Sequence, residues 1–151
     1  MKLWRKQNAF TLIEVMVVVA VIGIIMAMGI PSIVKGMRKE GMRKASSDLV
    51  EACNAARAKA ILSGTAAELV IRPFDGTVSA GEFSATLPNN VWIELLWINF
   101  ANYLEADSAT VRFYPNGTSD EFTILLQSDE SKPQKISLEV VTGLAIVEAM
   151  P

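Results

Sequence analysis

An α+β fold is predicted for this chain, a long N-terminal helix laid against an antiparallel β domain, and three observations predict it. From Val15 to Ile30 every residue is apolar or glycine, an unbroken run longer than strands use. Small apolar residues then recur at spacings of three and four from Ala45 to Ala60, the period of a helix with one buried face. Past Gly64 the pattern changes to short β-branched and aromatic runs separated by Gly, Pro, Asn and Asp.

The first half of the helix reads as a membrane segment. Phe10 to Val34 is about 25 residues, about 37 Å as a helix, enough to cross a hydrocarbon core of about 30 Å. Its single charge is Glu14. A carboxylate near the middle of a membrane helix costs about 2.5 to 3.5 kcal/mol on insertion scales and so takes a partner. No Lys or Arg lies between Lys6 and Lys35, so the partner is expected from elsewhere. An amine freed by cutting the chain before Phe10 is the economical candidate.

Ala9 followed by Phe10-Thr11-Leu12-Ile13-Glu14-Val15 and an apolar helix resembles the class III leader of type IV pilins and type II secretion pseudopilins. The resemblance implies a type IV pilin-like fold. It also implies that a prepilin peptidase cuts between Ala9 and Phe10 and methylates the new Phe10 amine. Glu14 then serves as the counter-charge to that amine when subunits assemble with other pseudopilins or pilins. The family usually carries Gly before the cut; Ala9 keeps the residue small. Two rivals remain. One is a secretory signal with Lys2, Arg5 and Lys6 as its charged region and Ala27-Met28-Gly29 as its cleavage site. The other is a plain single-span anchor, which leaves Glu14 unexplained. The expected organisation is a leader over 1–9, a transmembrane helix half over 10–34, an amphipathic half over 35–64 and a β domain over 65–151.

Charge divides the chain. Lys35, Arg38, Lys39, Arg43 and Lys44 follow the apolar run, offset only by Glu40, whereas from Ala45 onward 6 bases face 14 acids, a balance of −8. An acidic domain repels phosphate, so no nucleic-acid partner is expected. Basic residues flank both ends of the span, so the positive-inside rule does not orient it. The resemblance does, implying a single-pass protein of the bacterial inner membrane with its C-terminal domain in the periplasm. With no histidine, one cysteine and no Gly-rich phosphate loop, neither an enzyme, a small-molecule substrate, a cofactor nor a metal is expected. Asp120-Glu121 and Asp129-Glu130 lack calcium-loop spacing and read as solvated turns.

Along the rest of the chain, Pro31 is expected to kink the helix. Ala45, Leu49, Ala52, Ala56 and Ala60 form its buried stripe, with Cys53 beside them as a small buried hydrophobe, and Gly64 stops it. Strands are expected at Ala67–Arg72, Thr77–Val78 and Phe83–Leu87. Val91–Ile98 is ambiguous between a strand with Val91, Ile93, Leu95 and Trp97 on one face and a helix reaching Leu104; an exposed apolar docking patch is the alternative to burial on both faces. Four further strands, Thr110–Tyr114, Phe122–Gln127, Lys135–Val141 and Leu144–Val147, read as a meander with turns at Pro115-Asn116-Gly117, Ser128–Pro133 and Thr142-Gly143.

The pattern from Val111 through Pro115-Asn116-Gly117, two strands and a Gly143 turn into a last strand resembles the GspH/FimT family. That resemblance implies a minor pseudopilin of the type II secretion system at the tip or initiation complex of the periplasmic pseudopilus. A FimT-like minor type IV pilin for pilus assembly or DNA uptake is the alternative.

Overall fold

Thr11 opens the first element. Its side-chain Oγ1 and its carbonyl both accept the Glu14 N–H, at 3.3 and 3.1 Å, the arrangement of a helix N-cap. The structure, a computed structural model, describes residues 11–129 and 131–150; the side chains of residues 28–39 lie outside the described residues. Helix α1 runs over Leu12–Ser63, with Pro31 inside it. The chain forms two compact units, Met1–Gly36 and Met37–Pro151, and α1 contributes to both.

In the first unit the described side chains from Leu12 to Ala27 are all exposed. In the second, Met42, Ala45, Leu49, Ala52, Cys53, Ala56 and Ala60 are buried, so the stripe expected from spacing is the face that packs. Alanine leaves little side chain beyond the helix backbone, and these alanines share one core with the inward residues of the sheets. The helix ends at Gly64, whose φ of +66° is the left-handed conformation of a helix stop and whose N–H still reaches the Ala60 carbonyl at 3.1 Å.

Among the described residues nine strands follow: β1 Ala67–Arg72, β2 Thr77–Ala80, β3 Phe83–Thr86, β4 Trp92–Ile98, β5 Ala101–Asn102, β6 Ala109–Phe113, β7 Phe122–Ser128, β8 Ser131–Glu139 and β9 Leu144–Ala149. They form two antiparallel sheets, in the orders β3-β2-β1-β6 and β5-β4-β7-β8-β9. Inward residues of both sheets, including Leu69, Ile71, Val111, Phe113, Phe122, Ile124, Leu126 and Ile136, join the helix stripe in one core. The architecture is α+β and pilin-like, a long N-terminal helix with antiparallel sheets.

Three expectations change. The meander covers only β7, β8 and β9, because β6 pairs with β1 in the other sheet, Leu69 opposite Val111. The Ser128–Pro133 turn is tighter than expected, with Ser128 pairing Ser131. Pro133 lies inside β8, where the register shifts between Leu126 and Ser128; such an irregularity accommodates a residue without an N–H. Finally, 92–98 is a strand, but not with the predicted face. A bulge between Ile93 and Leu95 shifts the alternation by one, so Ile93, Leu96 and Ile98 point inward while Trp92 and Trp97 stay more than two-fifths exposed.

Candidate functional site

The start of α1 carries the residues singled out from the sequence. Ala9 and Phe10 lie outside the described residues; Glu14 lies in the first helical turn and is exposed. Thr11-Leu12-Ile13-Glu14 has the spacing of a capping box, a local signal that sequence reading passed over, and its Thr11 half is formed. An acid in this turn also suits the positive end of the helix dipole. The helix therefore explains why a carboxylate is tolerated there but not why an apolar segment should carry one at all. Among the described residues no cation pairs with it. Beside it, Glu14, Val15, Val18 and Val19 line an open groove of about 270 Å³. A carboxylate bordering an apolar groove is suited to receive an amine that arrives with apolar side chains around it.

Among the described residues no helix is long and apolar enough to cross a membrane. The apolar stretch with described side chains, residues 12–27, reaches only about 24 Å as a helix. The apolar run itself continues in the sequence through Val34.

A second cluster, unforeseen, holds the β domain to the helix. Arg57, which is not among the residues of the predicted stripe, is half-buried and donates from Nε to the Thr142 carbonyl at 2.7 Å. That carbonyl belongs to the turn between β8 and β9, where Gly143 adopts φ +61° and a Cβ would meet the Gly117 carbonyl at 2.6 Å. The two turns of the C-terminal pattern, Pro115-Asn116-Gly117 and Thr142-Gly143, thus touch each other and both approach Arg57. Ser46 in the helix likewise hydrogen-bonds the Gln134 side chain of β8. Nothing in the helical spacing marks Arg57, since its partners lie 85 positions away.

Asp120 and Cys53 have structural roles. Asp120 accepts the Arg112 N–H at 3.0 Å and the Tyr114 hydroxyl at 3.3 Å, closing the connection from β6 to β7. Among the described residues no three His, Cys, Asp or Glu side chains converge on a metal position; Glu130 lies outside them. Cys53 is fully buried, and loss of hydration pushes its thiol up to about 12, so it stays protonated and inert.

Residues 4–30 match the prokaryotic N-terminal methylation motif, so the chain carries a type IV prepilin-like N-terminus. It is similar to type II secretion system core protein G of Vibrio cholerae serotype O1, 44% identical over 55 residues. The same protein of Aeromonas hydrophila is 41% identical over 51 residues. These matches cover 36% and 34% of this chain and 38% and 36% of the relatives, so the chain spans little more than a third of the curated relatives it matches. No solved structure matches the chain significantly.

Proposed function

We propose that this protein is a pseudopilin of a type II secretion system, held in the inner membrane by residues 10–34 and recruited from there into a periplasmic filament. Prepilin peptidase removes residues 1–9 and methylates Phe10, and the Phe10 amine of one subunit pairs with Glu14 of its neighbour. The role is structural. The observation that carries this reading is Glu14: a carboxylate without an ion-pair partner among the described residues, beside an apolar groove and inside the matched methylation motif. The minor, H-type assignment is the finer part of the proposal. It is supported by the C-terminal pattern, whose two glycine turns meet at Arg57. The resemblance to core protein G leaves most of the chain unmatched and does not conflict with it. The acidic balance of the domain favours secretion over DNA uptake.

Mass spectrometry of the mature chain tests the processing step, with N-methylated Phe10 expected as its first residue. A chain beginning at Ile30 would instead establish a secretory signal. Glu14→Ala should insert and fold like the parent yet fail to enter filaments; filament entry at the parental level would remove the charge-pair role.

A further inference from the structure

The β4–β5 hairpin turns through Asn99 and Phe100, both with positive φ, 48° and 67°. This is the geometry that Asn-Gly fills without strain, and a phenylalanine held there is strained. Phe100 is also 79% exposed, so burial in this chain does not account for its presence. The turn is nonetheless held firmly: Asn99 N–H donates to the Glu121 carbonyl at 3.0 Å, and Glu121 N–H donates to Asn99 Oδ1 at 3.1 Å. Phe100, Trp97 and Leu95 wall a pocket of about 270 Å³ that Glu121 also lines. Glu121 makes no ion pair among the described residues. Aromatic faces beside an unpaired carboxylate form a receptor for a guanidinium or ammonium group, through cation–π attraction and a charge-assisted hydrogen bond.

The cation that fits is carried by the chain itself. After the leader, positive charge is concentrated in residues 35–44, five bases against Glu40, while the rest of the chain is acidic. Within that run Lys44 is held by Asp48 at 3.0 Å, whereas Arg43 is exposed and makes no ion pair among the described residues. We infer that the Leu95–Trp97–Phe100–Glu121 pocket docks the basic segment of a second copy of this chain, with Arg43 of that copy seated on the aromatic faces and against Glu121. The inference rests on the pilin-like reading only in that subunits of a helical filament are displaced along its axis, which sets Arg43 of one copy, at the Asn90 end of its own domain, against the Phe100 end of the next.

Two differently tagged full-length copies, co-expressed in membranes and captured from mild detergent, provide the test. Glu121→Lys alone and Arg43→Glu alone should each lower capture at least fivefold. Both changes together in every copy should restore it. Phe100→Gly should lower capture while raising or preserving the domain's melting temperature, because glycine relieves the turn. Capture that is indifferent to Glu121→Lys and Phe100→Gly overturns the inference. So does thiol cross-linking from Thr123→Cys that reaches other membrane proteins but never the second copy. The mature N-terminus is read from the same samples: a start other than Phe10 defeats the pilin reading, whereas a Phe10 start with indifferent capture defeats the pocket alone.

Discussion

The two halves of α1 invert the usual relation between side-chain size and burial. Residues 12–27 carry Val, Ile, Leu and Met, and every one is exposed, Leu12 at 79% and Val19 at 62%. Residues 45–60 carry mostly alanine on the packing face, and Ala45, Ala52, Ala56 and Ala60 are at most 1% exposed. Helix propensity does not separate them, since α1 is assigned through both. What separates them is the partner. The second half meets two sheets of its own chain, and close approach favours alanine there. The described side chains of the first half, residues 12–27, are exposed. In water such bulk would be costly, at about 25 cal/mol for each Å² of apolar surface. Such a surface suits an apolar environment rather than water.

The largest expected effect contrasts matched truncations. Leu49→Ala, in the buried half, should lower the stability of the domain by about 2 to 5 kcal/mol. Val17→Ala, in the exposed half, should leave it within about 0.5 kcal/mol. Denaturant unfolding of the full chain in detergent, followed by the fluorescence of Trp92 and Trp97, measures both. Equal losses would mean that Val17 is as buried in the folded protein as Leu49.

A smaller contrast uses glycine. Gly143→Ala forces a Cβ toward the Gly117 carbonyl at a left-handed φ, and should cost about 2 to 3 kcal/mol in the same assay. Gly23→Ala, with nothing within 4 Å of its added carbon, should leave the domain unchanged.

The smallest effect is a pH dependence. The buried Cys53 thiol is raised from 9.0 to about 12, and it is the neutral, protonated form that burial favours. Above pH 9 the unfolded chain releases this proton while the folded chain keeps it, so folding stability falls as pH rises. Stability from this source is intact below pH 9 and declines between 9 and 12, with a limiting slope of about 1.4 kcal/mol per pH unit. Comparing unfolding of the parent and Cys53→Ala at pH 8 and pH 10 isolates it. An identical slope in both would mean that water reaches the second half of the helix.

Much of this fold is legible in the sequence. Ala67–Arg72 has the bounds predicted from β-branched content and the following Pro73. The alanine stripe and the buried Cys53 followed from helical period alone. These are local signals, in which period, branching and turn chemistry act within a few residues of one another. Of the candidate site, only the leader motif and Glu14 could be read in this way, because their meaning lies in adjacent residues and in the absence of any nearby base. The structure added Thr11 as the cap that fits Glu14 to the helix start.

Period, charge and turn residues by themselves determined an apolar N-terminal helix, a helical stripe of small residues, the approximate strands and the acidic character of the domain. Tertiary structure alone decided which sheet β6 joins, which face of β4 turns outward, and that Arg57 meets the Thr142 turn. The physical reason is the same in each case. Strand partners and bulges are chosen by contacts tens of residues apart, and one extra residue in β4 shifts every later side chain to the opposite face. That shift placed Trp97 outside beside Phe100, where no alternation of hydrophobic residues would have put it.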